Sequence, residues 1–235
     1  MNKLSQTIIT TCYNNEVNTF FTYLEHTLRE FNIGKTIHKY GLEYLEIKNK
    51  CELEDIINFL NGNKTRSIEE YYTFHRLKQL FEIMKQKNEI IRTIDIEYIS
   101  GNNSYDFLLT FGDFKIPVEH KYIKKKGNTD AGQCISKLAD EISSGDIFKK
   151  IVFIIEHDEN NVITNFYIEA FPINLAVTKN NKFMLNNRTI DKTQNITKGR
   201  WQMTTKTTLW HSDCTTFNEV NNKLKQIYLN TISVE

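Results

Sequence analysis

The sequence predicts an α/β protein, an α+β mixed sheet flanked by helices, on three observations. Apolar residues recur at helical spacing in the first third of the chain. From residue 94 the pattern changes to short runs broken by turn residues. A helical segment then leads into residues 151–156 (IVFIIE), a continuous apolar run of the kind a buried strand makes.

Phe20, Phe21, Leu24, Leu28 and Phe31 form the first helical stripe, and Leu53, Ile56, Ile57 and Leu60 a second, short one. Ser67-x-x-Glu70 has the form of a capping box, followed by a helix to about Lys87 with Phe74, Leu77, Phe81 and Met84 on one face. Ile94, Ile96 and Tyr98 predict a strand, residues 100–104 a turn, and residues 105–111 a second strand. Gly112-Asp113 is a two-residue hairpin signal, and residues 114–123 read as the third strand. A polar loop is expected next, with Asp130 near a helix start. Ile135, Leu138 and Ile142 mark that helix, and Gly145 sits past its end. The step into residues 151–156 should be a right-handed parallel crossover. Beyond it the sequence predicts a strand at 162–170, a hairpin tip at Asn186-Asn187, an extended segment at 200–210 and a helix at about 216–229.

The 235 residues suit a single domain, 1–235, with a core at 67–157 and further elements at 160–235. Hydrophobic residues make up 40%, which excludes a disordered chain. Thirty Lys and Arg against 29 Asp and Glu give a net charge of +1, which argues against binding nucleic acid through global charge. No apolar run is long enough to span a membrane. The four cysteines are far apart and form no C-x-x-C, so a reducing, cytoplasmic setting is expected.

The chemistry-bearing residues come from the hairpin. With Gly112-Asp113 as its turn, paired residue numbers sum to 225, which sets Asp106 opposite Glu119. Lys121, two residues on, shares their face, whereas His120 points to the other as a packing residue. Opposed carboxylates repel unless something neutralises them. A hard divalent cation does so, and Mg²⁺ takes one or two carboxylates while leaving room for phosphate oxygens. A nearby Lys can orient or deprotonate an attacking water or stabilise phosphate charge. This combination suits phosphodiester hydrolysis.

Asp106 followed by Glu119-His120-Lys121 resembles the core of the PD-(D/E)XK nucleases, the restriction-endonuclease-like superfamily, over roughly residues 67–157. Tyr105 stands where that family usually has Pro. Two other acid-x-Lys triplets lack the context: Glu46-Ile47-Lys48 has no Asp before it, and Asp113-Phe114-Lys115 begins inside the turn. The resemblance implies a restriction-endonuclease-like core, a Mg²⁺ cofactor held by Asp106 and Glu119, and Lys121 serving the attacking water. It also implies the main-chain carbonyl of His120 as a metal ligand. Glu70 is similar to a supporting helix-borne Glu of the family, with a purely capping role as its alternative and Glu69 as its substitute if the helix phase is off by one. Gln133 stands where some members place a residue near the scissile phosphate, with an ordinary surface Gln as the favoured reading.

Charge placement adds a candidate DNA surface. Lys124, Lys125 and Lys126 cluster at the exit of the third strand. Residues 178–206, with Arg188, Lys198 and Arg200 among them, carry seven positive charges against Asp191 alone. Asn and Gln are interleaved there and can read base edges, although a solvated hairpin has the same composition. The expected function is Mg²⁺-dependent endonuclease cleavage of double-stranded DNA by a homodimeric type II restriction enzyme, with the N-terminal helices as one possible dimer contact. A structure-specific nuclease of repair, recombination or phage origin, or a non-catalytic DNA-binding module, are the rivals.

Overall fold

A computed structural model describes residues 1–31, 68–87, 93–99, 105–125, 127–160, 163–186, 200–204 and 213–233. The chain begins with helices α1 (Lys3–Cys12), α2 (Asn15–Phe31) and α3 (Ile68–Lys87), then strands β1 (Ile94–Tyr98), β2 (Phe107–Phe111), β3 (Phe114–Lys124) and β4 (Asn128–Cys134). Helix α4 (Ile135–Ser144), a 3₁₀ turn (Asp146–Lys149), β5 (Ile151–His157), β6 (Ile163–Ala170), β7 (Leu185–Asn186), β8 (Arg200–Thr204) and α5 (Phe217–Ile232) follow. The predicted helix at Leu53–Leu60, the turn at 100–104, Phe31's side chain and Ser67 lie outside what is described.

The expected α/β architecture is present. A five-stranded mixed sheet runs in the order β1-β2-β3-β5-β6, and a separate three-stranded sheet in the order β4-β8-β7. β3 and β5 are parallel, and the other neighbours in the large sheet are antiparallel. The hairpin register is the predicted one, from Phe111–Phe114 to Phe107–Val118. Gly112 adopts φ 56°, the left-handed conformation that a two-residue turn with Gly first requires.

One sheet face meets the N-terminal helices. Phe107, Val118, His120 and Phe153 share it by alternation and pairing, and the Phe74 ring of α3 lies 6.0 Å from that of Phe107. Phe20 of α2 packs on Phe81 and Phe111 at 5.8 and 5.3 Å. Leu4, Ile8 and Ile9 of α1 and Leu24 and Leu28 of α2 are buried in the same core. The apolar stripes of these helices are therefore buried inside the subunit. Leu138 and Ile142 of α4 are buried as their spacing predicts, and Gly145 ends the helix in the left-handed region at φ 77°. The C-terminal helix starts at a capping box, with Thr216 and Glu219 each bonding the other's backbone. No helix among the described residues is long and apolar enough to cross a membrane.

Two expectations are corrected. The polar loop after β3 is strand β4, so Asp130 and Gln133 lie on a strand and not at the start of α4. Its sequence, NTDAGQC, has little strand propensity; the ladder comes from β8, some seventy residues away. Asn186 is not the hairpin tip either, because it pairs with Arg200 inside the β7–β8 ladder.

Candidate active site

The site forms where β2 and β3 separate. Asp106 precedes β2, and its backbone N–H donates to Val118 O at 3.0 Å. Asp106 and Phe107 thus both face Val118, a one-residue slip of the kind a β-bulge makes. Direct opposition of Asp106 and Glu119 gives way to an offset, because the Asp106 carboxylate itself takes the next donor: His120 N–H bonds Asp106 Oδ2 at 2.7 Å. The slip keeps the two acids together. Each carries an electrostatic or hydrogen-bonded link to the other's strand, and both interact with Lys121.

Glu119 is only 6% exposed and forms an ion pair with Lys121. Burial raises the Glu119 pKa, Lys121 opposes the rise, and Glu70 adds to it. Burial also raises Asp106, to about 6, with the Glu119 charge adding to the effect, while Lys121 and the His120 N–H offset part of it. Burial works against the Lys121 charge, but Glu119, Asp106 and Glu70 outweigh it and hold the ammonium above its ordinary pKa.

Glu70, at the start of α3, accepts a hydrogen bond from Tyr98 OH of β1 at 2.9 Å. Its charge acts on Glu119 and Lys121, whereas Glu69 acts on Tyr122. Of the two neighbours, Glu70 is therefore the one facing the cluster. The His120 ring faces away, as alternation predicts. It lies 3.1 Å from Thr73 Oγ1 and stacks near Phe107 and Phe153. Burial, with Lys121 second, lowers its pKa to about 3, so the ring is neutral at physiological pH. Only the main chain of His120 is available to the site.

Sequence reasoning did not find Lys150. It lies just before β5, 7% exposed, bonds Glu141 of α4 at 2.9 Å, and its charge acts on Glu119. A Lys before an apolar run carries no local signal of this; the parallel pairing of β3 with β5 brings it near.

Three carboxylates (Glu70, Asp106, Glu119) interact with the Lys121 ammonium, and the nearby Lys150–Glu141 pair adds no net charge, leaving a formal excess of two negative charges. A divalent cation matches that excess. Among the described residues no three His, Cys, Asp or Glu side chains are grouped to hold a metal ion. A cation here would take Asp106, Glu119 and oxygen from the main chain and water, the donor set that suits Mg²⁺. The residues fit the ion on that basis.

The structure brings Asp106, Glu119, Lys121 and Glu70 together; of the predicted DNA contacts, it describes the side chains of Lys124, Lys125 and Arg200. Lys124 is exposed and pairs with Glu159 at 3.3 Å. Lys125 is exposed beside it, and its N–H donates to His157 O at 2.7 Å. Arg200 is exposed at the start of β8. Lys126, Arg188 and Lys198 lie outside the described residues, as does the side chain of Gln133. No family model matches the chain, and a search of curated proteins finds no match.

Proposed function

We propose that the chain is a metal-dependent deoxyribonuclease that hydrolyses phosphodiester bonds of double-stranded DNA. In this reading it is a type II restriction endonuclease with a restriction-endonuclease-like, PD-(D/E)XK core, acting in the cytoplasm as a homodimer. The observation that carries the reading is the cluster at the β2–β3 divergence, where half-buried Asp106 and buried Glu119 share the ammonium of Lys121.

Asp106 and Glu119, with the His120 carbonyl, would hold Mg²⁺. Bound there, such an ion would supply electrophilic stabilisation of phosphate charge and lower the pKa of an attacking water. Lys121 is placed to orient that water or to meet charge on the phosphate, its stem fixed by β3 and its ammonium held charged by three acids. Glu70 adds negative potential and is itself fixed by Tyr98. The buried surroundings strengthen each of these interactions by excluding water.

Digestion of plasmid and phage DNA with Mg²⁺ tests the proposal. Discrete fragments that disappear in Asp106→Ala and Lys121→Ala support it. Cleavage that survives either substitution removes the assigned site. Cleavage confined to branched or single-stranded DNA replaces restriction with a structure-specific role.

A further inference from the structure

We propose that the β4–β8 ribbon reads base edges in the major groove of double-stranded DNA, with Asn128, Asp130, Arg200 and Gln202 as the specificity-determining residues. The proposal takes duplex DNA as partner from the nuclease reading and adds which side chains choose the sequence.

The two faces of the ribbon differ over residues 200–203, whereas Thr204 at the end of β8 is buried. Trp201 and Met203 of β8 are fully buried, so the alternate residues Arg200 and Gln202 project from the opposite face. Antiparallel pairing sets Asp130 across from Gln202 and Asn128 across from Thr204, which places both β4 side chains on that outer face. Arg200 and Asn128 are exposed. Asn128 Nδ2 approaches Gln202 Oε1 at 3.4 Å, so one amide holds the other in place.

The composition of this face points to bases rather than to phosphates or protein. A guanidinium, two amides and a carboxylate are the groups that pair with guanine, adenine and cytosine edges in the major groove. A carboxylate repels phosphate, so Asp130 is misplaced on a backbone-binding surface but suited to accepting from cytosine N4. Among the described side chains of this face, none is apolar. β4 is the edge strand of the three-stranded sheet with β8 beside it, and sheet strands can enter the major groove. Exposed Lys125, at the base of the ribbon, supplies positive charge toward the flanking backbone.

The ribbon is fixed to the cutting strand. β4 begins four residues after β3 ends, across a turn closed by Gly127 N–H to Lys124 O at 2.7 Å. A Cβ at Gly127 would lie 2.7 Å from that same carbonyl oxygen, so the close approach requires glycine. Base reading and cleavage are thereby held at a set separation.

The test is selection of bound duplexes from a randomised pool in metal-free buffer, run beside Mg²⁺ cleavage of plasmid DNA. Wild type is compared with Gln202→Ala, Asn128→Ala and Asp130→Asn. We expect wild type to enrich a defined sequence. Each substitution should lower the preference for that sequence roughly 10- to 100-fold at one or two base pairs, with weak non-specific binding unchanged. Circular dichroism identifies any variant that fails to fold, and the other two substitutions then decide. Enrichment that all folded variants retain, or no enrichment by wild type, overturns the ribbon proposal while plasmid cleavage still upholds the nuclease. Enrichment without cleavage upholds the ribbon and overturns the nuclease reading.

Discussion

Glu119 and Glu169 are buried carboxylates in one row of the large sheet, both paired across β5 through Val152. Burial raises the pKa of each, yet their surroundings differ. Glu169 accepts from Ser5 Oγ and from Asn2 N–H, at 3.3 Å, and so fastens α1 to the edge strand β6. Glu119 has one ion-pair partner in Lys121, while Glu70 and Asp106 bring like charge. A buried carboxylate surrounded by donors holds the fold together. One crowded by other carboxylates stores repulsion that a ligand can relieve, which marks a functional site.

The contrast predicts opposite responses to substitution. Asp106→Ala or Lys121→Ala should lower Mg²⁺-dependent cleavage by about 10²-fold or more, whereas Glu169→Gln should leave the rate per folded molecule unchanged. Initial rates on supercoiled plasmid separate the two outcomes, and equal losses at both positions would erase the distinction.

Stability should respond in the other direction. Glu169→Ala leaves the buried Ser5 hydroxyl without its acceptor and should cost about 1–3 kcal/mol in urea unfolding. Asp106→Asn removes a repelled charge and should leave metal-free stability equal or higher.

A pH series sharpens the second half of that statement. Burial and the Glu119 charge hold Asp106 at about 6 in the folded chain against an ordinary 3.8, so folding favours its protonated form. The stabilisation is complete below the unfolded pKa and is lost as pH rises through the folded one. This group alone should make the metal-free protein up to about 3 kcal/mol less stable above pH 7 than below pH 4. Wild type minus Asp106→Asn, measured across that window, should show the slope, and a flat difference would refute the raised Asp106 pKa.

The smallest effect is expected away from both carboxylates. Lys125→Ala should weaken binding evenly across DNA sequences and reduce the slope of log affinity against log salt by about one unit.

How much the sequence shows follows the range of the interactions involved. The β2–β3 hairpin is legible because a two-residue turn with Gly112 fixes the register from neighbouring residues alone. The Asp106 slip is not, since it depends on a carboxylate capturing the His120 N–H. Strand β4 is hidden because its polar residues become a strand only through β8, far along the chain. Lys150 is hidden for the same reason: the β3–β5 pairing carries it to Glu119, and its own neighbours in sequence do not. Glu70 lies between these cases. Its helical phase is readable, but its bond to Tyr98 OH needs β1 in place.

The central claim is that the Asp106–Glu119 cluster carries an excess of negative charge suited to a divalent cation. Calorimetric titration of Mn²⁺ into wild type, Asp106→Asn and Glu169→Gln tests it without requiring cleavage. The account predicts saturable binding by wild type and Glu169→Gln, weakened at least about 10-fold in Asp106→Asn. Binding that Asp106→Asn leaves intact, or no binding by wild type, would contradict it.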